Sequence, residues 1–399
     1  MNPQETPVHN HFWNKDFGGL VVANLLLTTA VYMMIPVMAE WLQQVLLPPV
    51  QKGLVMGAYG IGLFLLGPFC SYFVQRYRRN HVCELSILLL AACIWGLGLM
   101  HENVQQTGNA NVVTLMALRV AIGALFGLAQ MVLCSTLVID VSESCQRTHA
   151  NHAAAWFGRL ALASGPIAVL LLQMILSVQQ LYWVMAGFCI AAVVLIQIVK
   201  IPFRAPSDDY HSFSLDRFLM PSTWPLFLLL MAFTTVVGMV IVQRYDIIYY
   251  VMMLLGFFVA RLIQRFLEDD VSMKVTIVSA MAIMMVTVSP EITQYTILLY
   301  ISAILFGFST GVVGNCFLTC FLNLSNHCQR GTSQSSYFLA WELGISLGLF
   351  LAITHPAHTL SEESSGAWTN LFLAKTLLVA IAFAWLLLVY PWYKRHKAR

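Results

Sequence analysis

The chain has 399 residues, of which 59% are hydrophobic and only 10% charged, with a formal net charge of +3. Mean hydropathy is +0.75, whereas soluble domains carry about 25% charged and 45–50% apolar residues. No soluble core of this length hides so much apolar surface, so the composition excludes a soluble protein and the small net charge argues against nucleic acid as a partner.

The first apolar segment, 17–41, is too long for the apolar region of a secretory leader and lacks a small-residue cleavage site. It reads as a spanning helix that is retained. One bilayer crossing needs about 20 apolar residues. On that measure eleven more spans follow, at 52–74, 82–100, 112–140, 150–176, 180–202, 223–242, 246–267, 272–289, 294–322, 333–354 and 367–391. The longest polar connection between helices, "RAPSDDYHSFSLDRFLMPST", follows span 6. It divides the chain into an N-terminal half (1–202), a linker (203–222) and a C-terminal half (223–399).

Lys and Arg set the orientation. Fifteen of the 21 fall on the side of the two termini, only Lys52 and Arg244 fall in the opposite loops, and Arg119, Arg159, Arg261 and Lys375 lie within spans. The expectation is that both ends are cytoplasmic. The nine cysteines form no Cys-x-x-Cys pair, and the pairs His149/His152 and His355/His358 have no further ligands beside them. Buried thiols and interfacial histidines account for them better than a metal site does.

The chain repeats itself. "LLGPFCSYFVQRY" from Leu65 returns 189 residues later as "LLGFFVARLIQRF" from Leu254, carrying Arg76 onto Arg265. An offset of 183 carries Arg147 onto Arg330, Gly165 onto Gly348 and Arg159 onto Glu342, and Gly123 and Gly127 correspond to Gly307 and Gly311. Two six-helix halves in parallel repeat, joined by a central cytoplasmic loop, resemble the major facilitator superfamily over essentially the whole length. "GPFCSYFVQRYRRN" resembles that family's Gly-x-x-x-Asp-Arg-x-Gly-Arg-Arg loop, with Arg76 and Arg79 on its arginines. Gln75 replaces its aspartate, Ser71 its first glycine and Arg78 its inner one. "RVAIGALFG" resembles the Arg-x-x-x-Gly motif of proton-coupled members, and "GRLALASGP" is a partial match to the Gly-Pro motif of the drug/proton antiporter branch. The resemblance implies an all-α fold of twelve helices in two pseudo-symmetric bundles, and a cytoplasmic gate in which Arg76, Arg79 and Arg265 work with Asp140. A plain positive-inside anchor is the other reading of those arginines.

Ionisable groups inside spans are costly and mark functional sites by default. Arg261 and Lys375 lie near span ends and can snorkel. Arg119 sits about 10 Å deep at 1.5 Å per residue, and Gln130 returns to nearly its helical angle. That stripe either faces the central cavity or ties helix 4 to helix 1 near Asn24 or Thr28. The repeat sets Arg159 and Glu342 at equal depth in opposite halves. Burial strengthens a carboxylate's hold on its proton and a nearby guanidinium weakens it, so Glu342 is the candidate proton-coupling or cation-recognising group, with Arg159 and Arg119 as gating partner or anion contact. A static salt bridge is the alternative. Asn24, Thr28 and Tyr32 on helix 1, Asn315 on helix 10 and Trp341 on helix 11 complete the expected cavity.

The expectation is a secondary active transporter working by alternating access, with proton-coupled efflux of an amphipathic compound leading. Uptake with protons of a small metabolite, anionic on the argument of Arg119 and Arg159, is the alternative, and a non-transporting receptor on the same fold is a third. No nucleophile–base pair or phosphate loop points to an enzyme, and no cofactor is called for. The expected partners are a small solute, H+ and the bilayer, for a monomer in a bacterial inner membrane.

Overall fold

The structure, a computed structural model, describes residues 13–108, 110–143, 146–199, 211–264, 270–289, 295–326, 329–354 and 365–397. These residues form twelve apolar helices. The first seven are α1 (Lys15–Gln44), α2 (Pro49–Arg76), α3 (Arg79–Thr107), α4 (Val112–Asp140), α5 (Arg147–Leu172), α6 (Val178–Ile198) and α7 (Pro221–Ile241). They are followed by α8 (Ile247–Gln264) and α9 (Asp270–Thr287), then α10 (Thr296–Asn323), α11 (Arg330–Thr354) and α12 (Asn370–His396). Ten of the described helices are long and apolar enough to cross a membrane. Large apolar side chains such as Trp95, Trp183 and Leu387 stand exposed on the outside of the bundle, as a helix surface facing hydrocarbon requires.

Local sequence explains where helices start and stop. Asn14 caps α1 by accepting from the Phe17 N–H at 2.6 Å, and Asn111 does the same for α4 through Thr114. Ser177 and Gln180 form a reciprocal capping box at α6, satisfying donors that would otherwise be orphaned. Gly108 ends α3 in the left-handed region at φ 70°, where a Cβ is disfavoured. Helix α4 carries a π segment over Leu133–Leu137.

The halves repeat in space. In the first, α1 packs on α5 and α6, α2 on α4, and α3 on α4 and α6; in the second, α7 packs on α11 and α12, α8 on α10, and α9 on α10 and α12. Each contact is the other displaced by six helices, giving two pseudo-symmetric six-helix bundles. Glycines set the close approaches. A Cβ at Gly123 would strike the Tyr59 carbonyl, and one at Gly307 the equivalent Met253 carbonyl. Gly62 faces Val120 and Ala124 as Gly256 faces Ile304 and Phe308.

Those contacts correct one expectation. Positions 62 and 256, like 59 and 253, are 194 apart, so the spatial register of α2 on α8 is 194 and not the 189 of the shared letters. The reason is that Gly67 and Gly256 do different jobs. Gly67 lies in a 3-10 turn that breaks α2 and makes room for the Phe218 ring, whereas Gly256 sits inside continuous α8 against α10. Similar letters served two local needs.

The halves meet along two seams. At the end away from the termini, Gly53, Gly57 and Gly60 of α2 lie against Ser346, Phe350 and Thr354 of α11, and Ser346 Oγ donates to the Gly57 carbonyl at 2.6 Å. At the termini end α5 packs on α8 and α10. There Trp156 meets Phe258 edge-on at 5.5 Å, and His152 Nδ1 lies 2.8 Å from Asn315 Oδ1.

Candidate functional site

Between the seams lies a cavity of about 40 Å³, lined from α1, α4, α5 and α11. That volume holds a water or two and is far below the several hundred Å³ of an open organic-ligand pocket. With both ends packed shut, the protein is in a closed, contracted state.

One wall is a polar lattice. Asn24, Thr28 and Tyr32 recur every four residues on α1 and so share one face. Gln130 Nε2 donates to Asn24 Oδ1 at 2.7 Å and to Thr28 Oγ1 at 2.8 Å. Asn24 Nδ2 in turn donates to the Ala154 carbonyl of α5 at 2.9 Å. Three helices of the first half are thereby fixed to one another at membrane depth, where an unpaired amide is expensive.

The opposite wall is the α11 face of Gln334, Tyr337, Phe338, Trp341 and Glu342, spaced as one helical stripe. Glu342 is 2% exposed and Arg159 3%. Tyr32 Oη donates to Glu342 Oε1 at 2.5 Å, joining α1 to α11 across the halves, and Tyr59 Oη donates to the Glu342 carbonyl at 3.3 Å. Arg159 Nη1 donates to Tyr337 Oη at 3.0 Å. The carboxylate and guanidinium line the same cavity but form no ion pair among the described residues. Instead Glu342 Oε2, Arg159 Nε and Arg159 Nη2 are buried without a protein partner. Each such atom costs about 1–3 kcal/mol, more when charged, which is far more than packing alone would retain.

Of the expected cavity residues, Asn24, Thr28, Tyr32, Gln130, Arg159, Trp341 and Glu342 line it. Two stand elsewhere. Arg119 turns away to α2, where its Nη2 donates to the Met56 carbonyl at 2.9 Å and its guanidinium covers the Tyr59 ring at 5.0 Å. Its partner is helix α2 and neither the cavity nor helix 1, because α2 and α4 touch through glycine and leave backbone carbonyls within its reach. Asn315 belongs to the α5–α10 seam through His152. Gln334, Tyr337, Phe338 and Cys134 were not anticipated; the first three are visible in retrospect as the i, i+3, i+4 neighbours of Trp341 and Glu342.

At the termini end Arg79 of α3 pairs with Asp140 of α4. Arg76 does not join that pair; it lies over the rings of Tyr72 and Tyr77 at 5.8 and 5.9 Å. Arg265 lies outside the described residues. The sequence also gave no hint of a strap formed by the end of the linker. Arg217 N–H donates to Thr332 Oγ1 at 2.9 Å, its Nη1 to Thr136 Oγ1 at 3.1 Å, and Met220 N–H to Ser336 Oγ at 2.8 Å. The strap thus ties α4 of one half to α11 of the other.

A sequence profile described as the Major Facilitator Superfamily matches residues 20–349. YcaD, an uncharacterized MFS-type transporter of Salmonella paratyphi B, is 36% identical over 81 residues, which span 20% of this chain and 21% of that protein. Among solved structures, the xylose transporter XylE from E. coli, in a partially occluded inward-open conformation, superposes with a TM-score of 0.68 at 13% identity, covering 94% of this chain and 97% of that one. The human organic anion transporter MFSD10 (TETRAN) gives 0.66 at 14% identity, covering 93% and 99%. At those identities the structural likeness speaks for the fold alone.

Proposed function

Given that the chain is a member of the major facilitator superfamily, and so a secondary transporter, we propose that it moves a small organic solute bearing an anionic group, coupled to protons through Glu342. One observation carries the reading: a guanidinium with two unpartnered buried nitrogens lines the same small cavity as a carboxylate bonded, among the described residues, by the Tyr32 hydroxyl alone. Arg159 offers charge-assisted donors to a solute's carboxylate or phosphate. Among the described residues no cation pairs with Glu342, and a buried carboxylate left so offers a place for a proton. Solute arriving at Arg159 and a proton arriving at Glu342 would both satisfy buried atoms that otherwise have no protein partner among the described residues.

Alternating access then works by loosening one seam while the other holds. The lysine and arginine distribution supports a cytoplasmic termini end, and the short loops suit a bacterial inner membrane. Efflux of an amphipathic compound is the second reading, favoured by the aromatic side chains Tyr337, Phe338 and Trp341 on one wall. The Gly-Pro stretch that suggested it has a packing role, since Gly165 lets α5 approach Tyr32 and Met33 of α1.

The test is proteoliposomes with an internal pH indicator, challenged with a panel of small carboxylates and organic amines. Carboxylate-driven proton movement should appear in the native protein, vanish in Glu342→Gln, and lose its preference for anions in Arg159→Gln. Transport in Glu342→Gln with an unaltered pH profile sinks the coupling role. A preference for amines over carboxylates in the native protein sinks the anion reading.

A further inference from the structure

A second pocket, of about 190 Å³, lies at the termini end between the halves, one turn beyond the central cavity along α4 and α11 and lined by different residues. Four arginines line it, Arg79, Arg147, Arg217 and Arg330, against two aspartates, Asp140 and Asp216. Both carboxylates are already engaged. Asp140 is paired with Arg79, while Asp216 lies 3.8 Å from Arg217 Nε and accepts from Thr332 Oγ1 at 2.9 Å. Arg147 and Arg330 have no carboxylate partner among the described residues, and the Nε of each is buried and unbonded. The pocket therefore holds a surplus of two positive charges.

The placement of those two arginines is informative. They are the repeat equivalents of one another, the first residue of α5 and the first of α11. Each helix is long and directs its N-terminal dipole into the pocket, reinforcing the same sign. Gly331 beside Arg330 sits so near the Ser135 carbonyl that a Cβ there would intrude, so the backbone of α11 approaches α4 closely. Arg217 is held below its ordinary pKa first by burial and next by the like charge of Arg79. Crowded cations with this geometry are stabilised by a doubly charged oxyanion more than by any neutral group.

We infer that this pocket binds a phosphate group, bridging Arg147 of one half and Arg330 of the other, and that the bound group holds the termini end shut. The site is independent of what the central cavity carries. It predicts that phosphate favours the closed state from the termini side and must leave before that side opens. A free phosphate or phosphorylated metabolite and a lipid headgroup share this chemistry.

The experiment uses the purified full-length protein in neutral detergent, with thermal unfolding followed against inorganic phosphate and against chloride at matched ionic strength. Phosphate should raise Tm saturably, and chloride should not. Arg147→Gln and Arg330→Gln should each weaken the half-saturating concentration about tenfold, the size of one lost charge-assisted bond, and the double variant should show no saturable shift. Arg147→Lys and Arg330→Lys, which keep the charge and lose the bidentate fork, should fall between and guard against misfolding of the glutamine variants. Vesicles of phosphatidylcholine with and without phosphatidylglycerol form the second arm. Arginine-dependent stabilisation by phosphatidylglycerol without any by free phosphate assigns the group to lipid. A shift that follows ionic strength alone, or that survives in the double variant, overturns the site.

Discussion

The two seams that close the cavity are built from opposite materials. Away from the termini, α2 and α11 meet through three glycines a turn apart, and the contact is backbone against side chain with two hydroxyl bonds, from Ser346 and Tyr59 to main-chain carbonyls. At the termini end the closure runs through a histidine–asparagine contact and a strap of linker residues bonded to both halves, beside a salt bridge internal to the first half. The dry seam depends on shape and tolerates no added atoms. The polar seam depends on charge and hydrogen bonds, which water and salt can replace. A transporter with one seam of each kind can have its polar end tuned by solutes while the other responds only to packing.

The sharpest way to break this contrast is Gly60→Leu, whose side chain would run into Ser346 and Leu343. Overpacking of this kind costs about 1–3 kcal/mol, so the closed state should become roughly tenfold or more rarer. We expect faster thiol labelling of a Thr354→Cys reporter and a comparable loss of transport. Labelling at the native rate would show that the glycines do not form the seal.

Asp140→Asn should act at the other end and more gently, through the strap: it leaves Arg79, whose like charge opposes that of Arg217, without its counter-ion. The Arg79–Asp140 pair is partly exposed, with side chains 17% and 10% accessible, so its loss is worth about 1 kcal/mol once screening is counted. Labelling at the termini end should rise about fivefold, and raising salt from about 0.1 to 1 M should imitate part of that rise in the native protein while leaving the glycine seam alone. Equal salt sensitivity at both ends would erase the distinction.

The smallest effect is expected at Arg217, whose φ of 59° is unusual for a residue with a Cβ. Arg217→Gly and Arg217→Ala both lose the bond to Thr136, but glycine accepts the backbone and should be the more stable of the two by about 1 kcal/mol. Equal melting temperatures would mean that the strap carries no conformational strain.

Much of this was legible in the sequence. Apolar length gave the twelve helices, and the 183-residue repeat put Arg159 and Glu342 at one height, where the structure finds them lining one cavity. What the sequence could not display was partnership. Arg119 looked like a cavity charge because a helical angle says which way a side chain leaves, not that two carbonyls of α2 lie within its reach. The 189-residue echo looked like register, but the matched glycines accommodate different neighbours. The strap escaped because Asp216 and Arg217 act through contacts with residues 81 to 116 positions away, and no local pattern announces such a distance.

The π segment of α4 has a bearing on both sites. It inserts an extra residue between Gln130, which braces the polar wall, and Asp140, which anchors the salt bridge. Wound as an ordinary helix, the same residues would carry everything beyond round by about 100°, taking Asp140 off Arg79. The helix therefore works like a vernier: its one wide turn takes up a surplus amino acid so that both ends keep their separate tasks, and a single-codon deletion there, by letting an ordinary turn close, would leave them aligned.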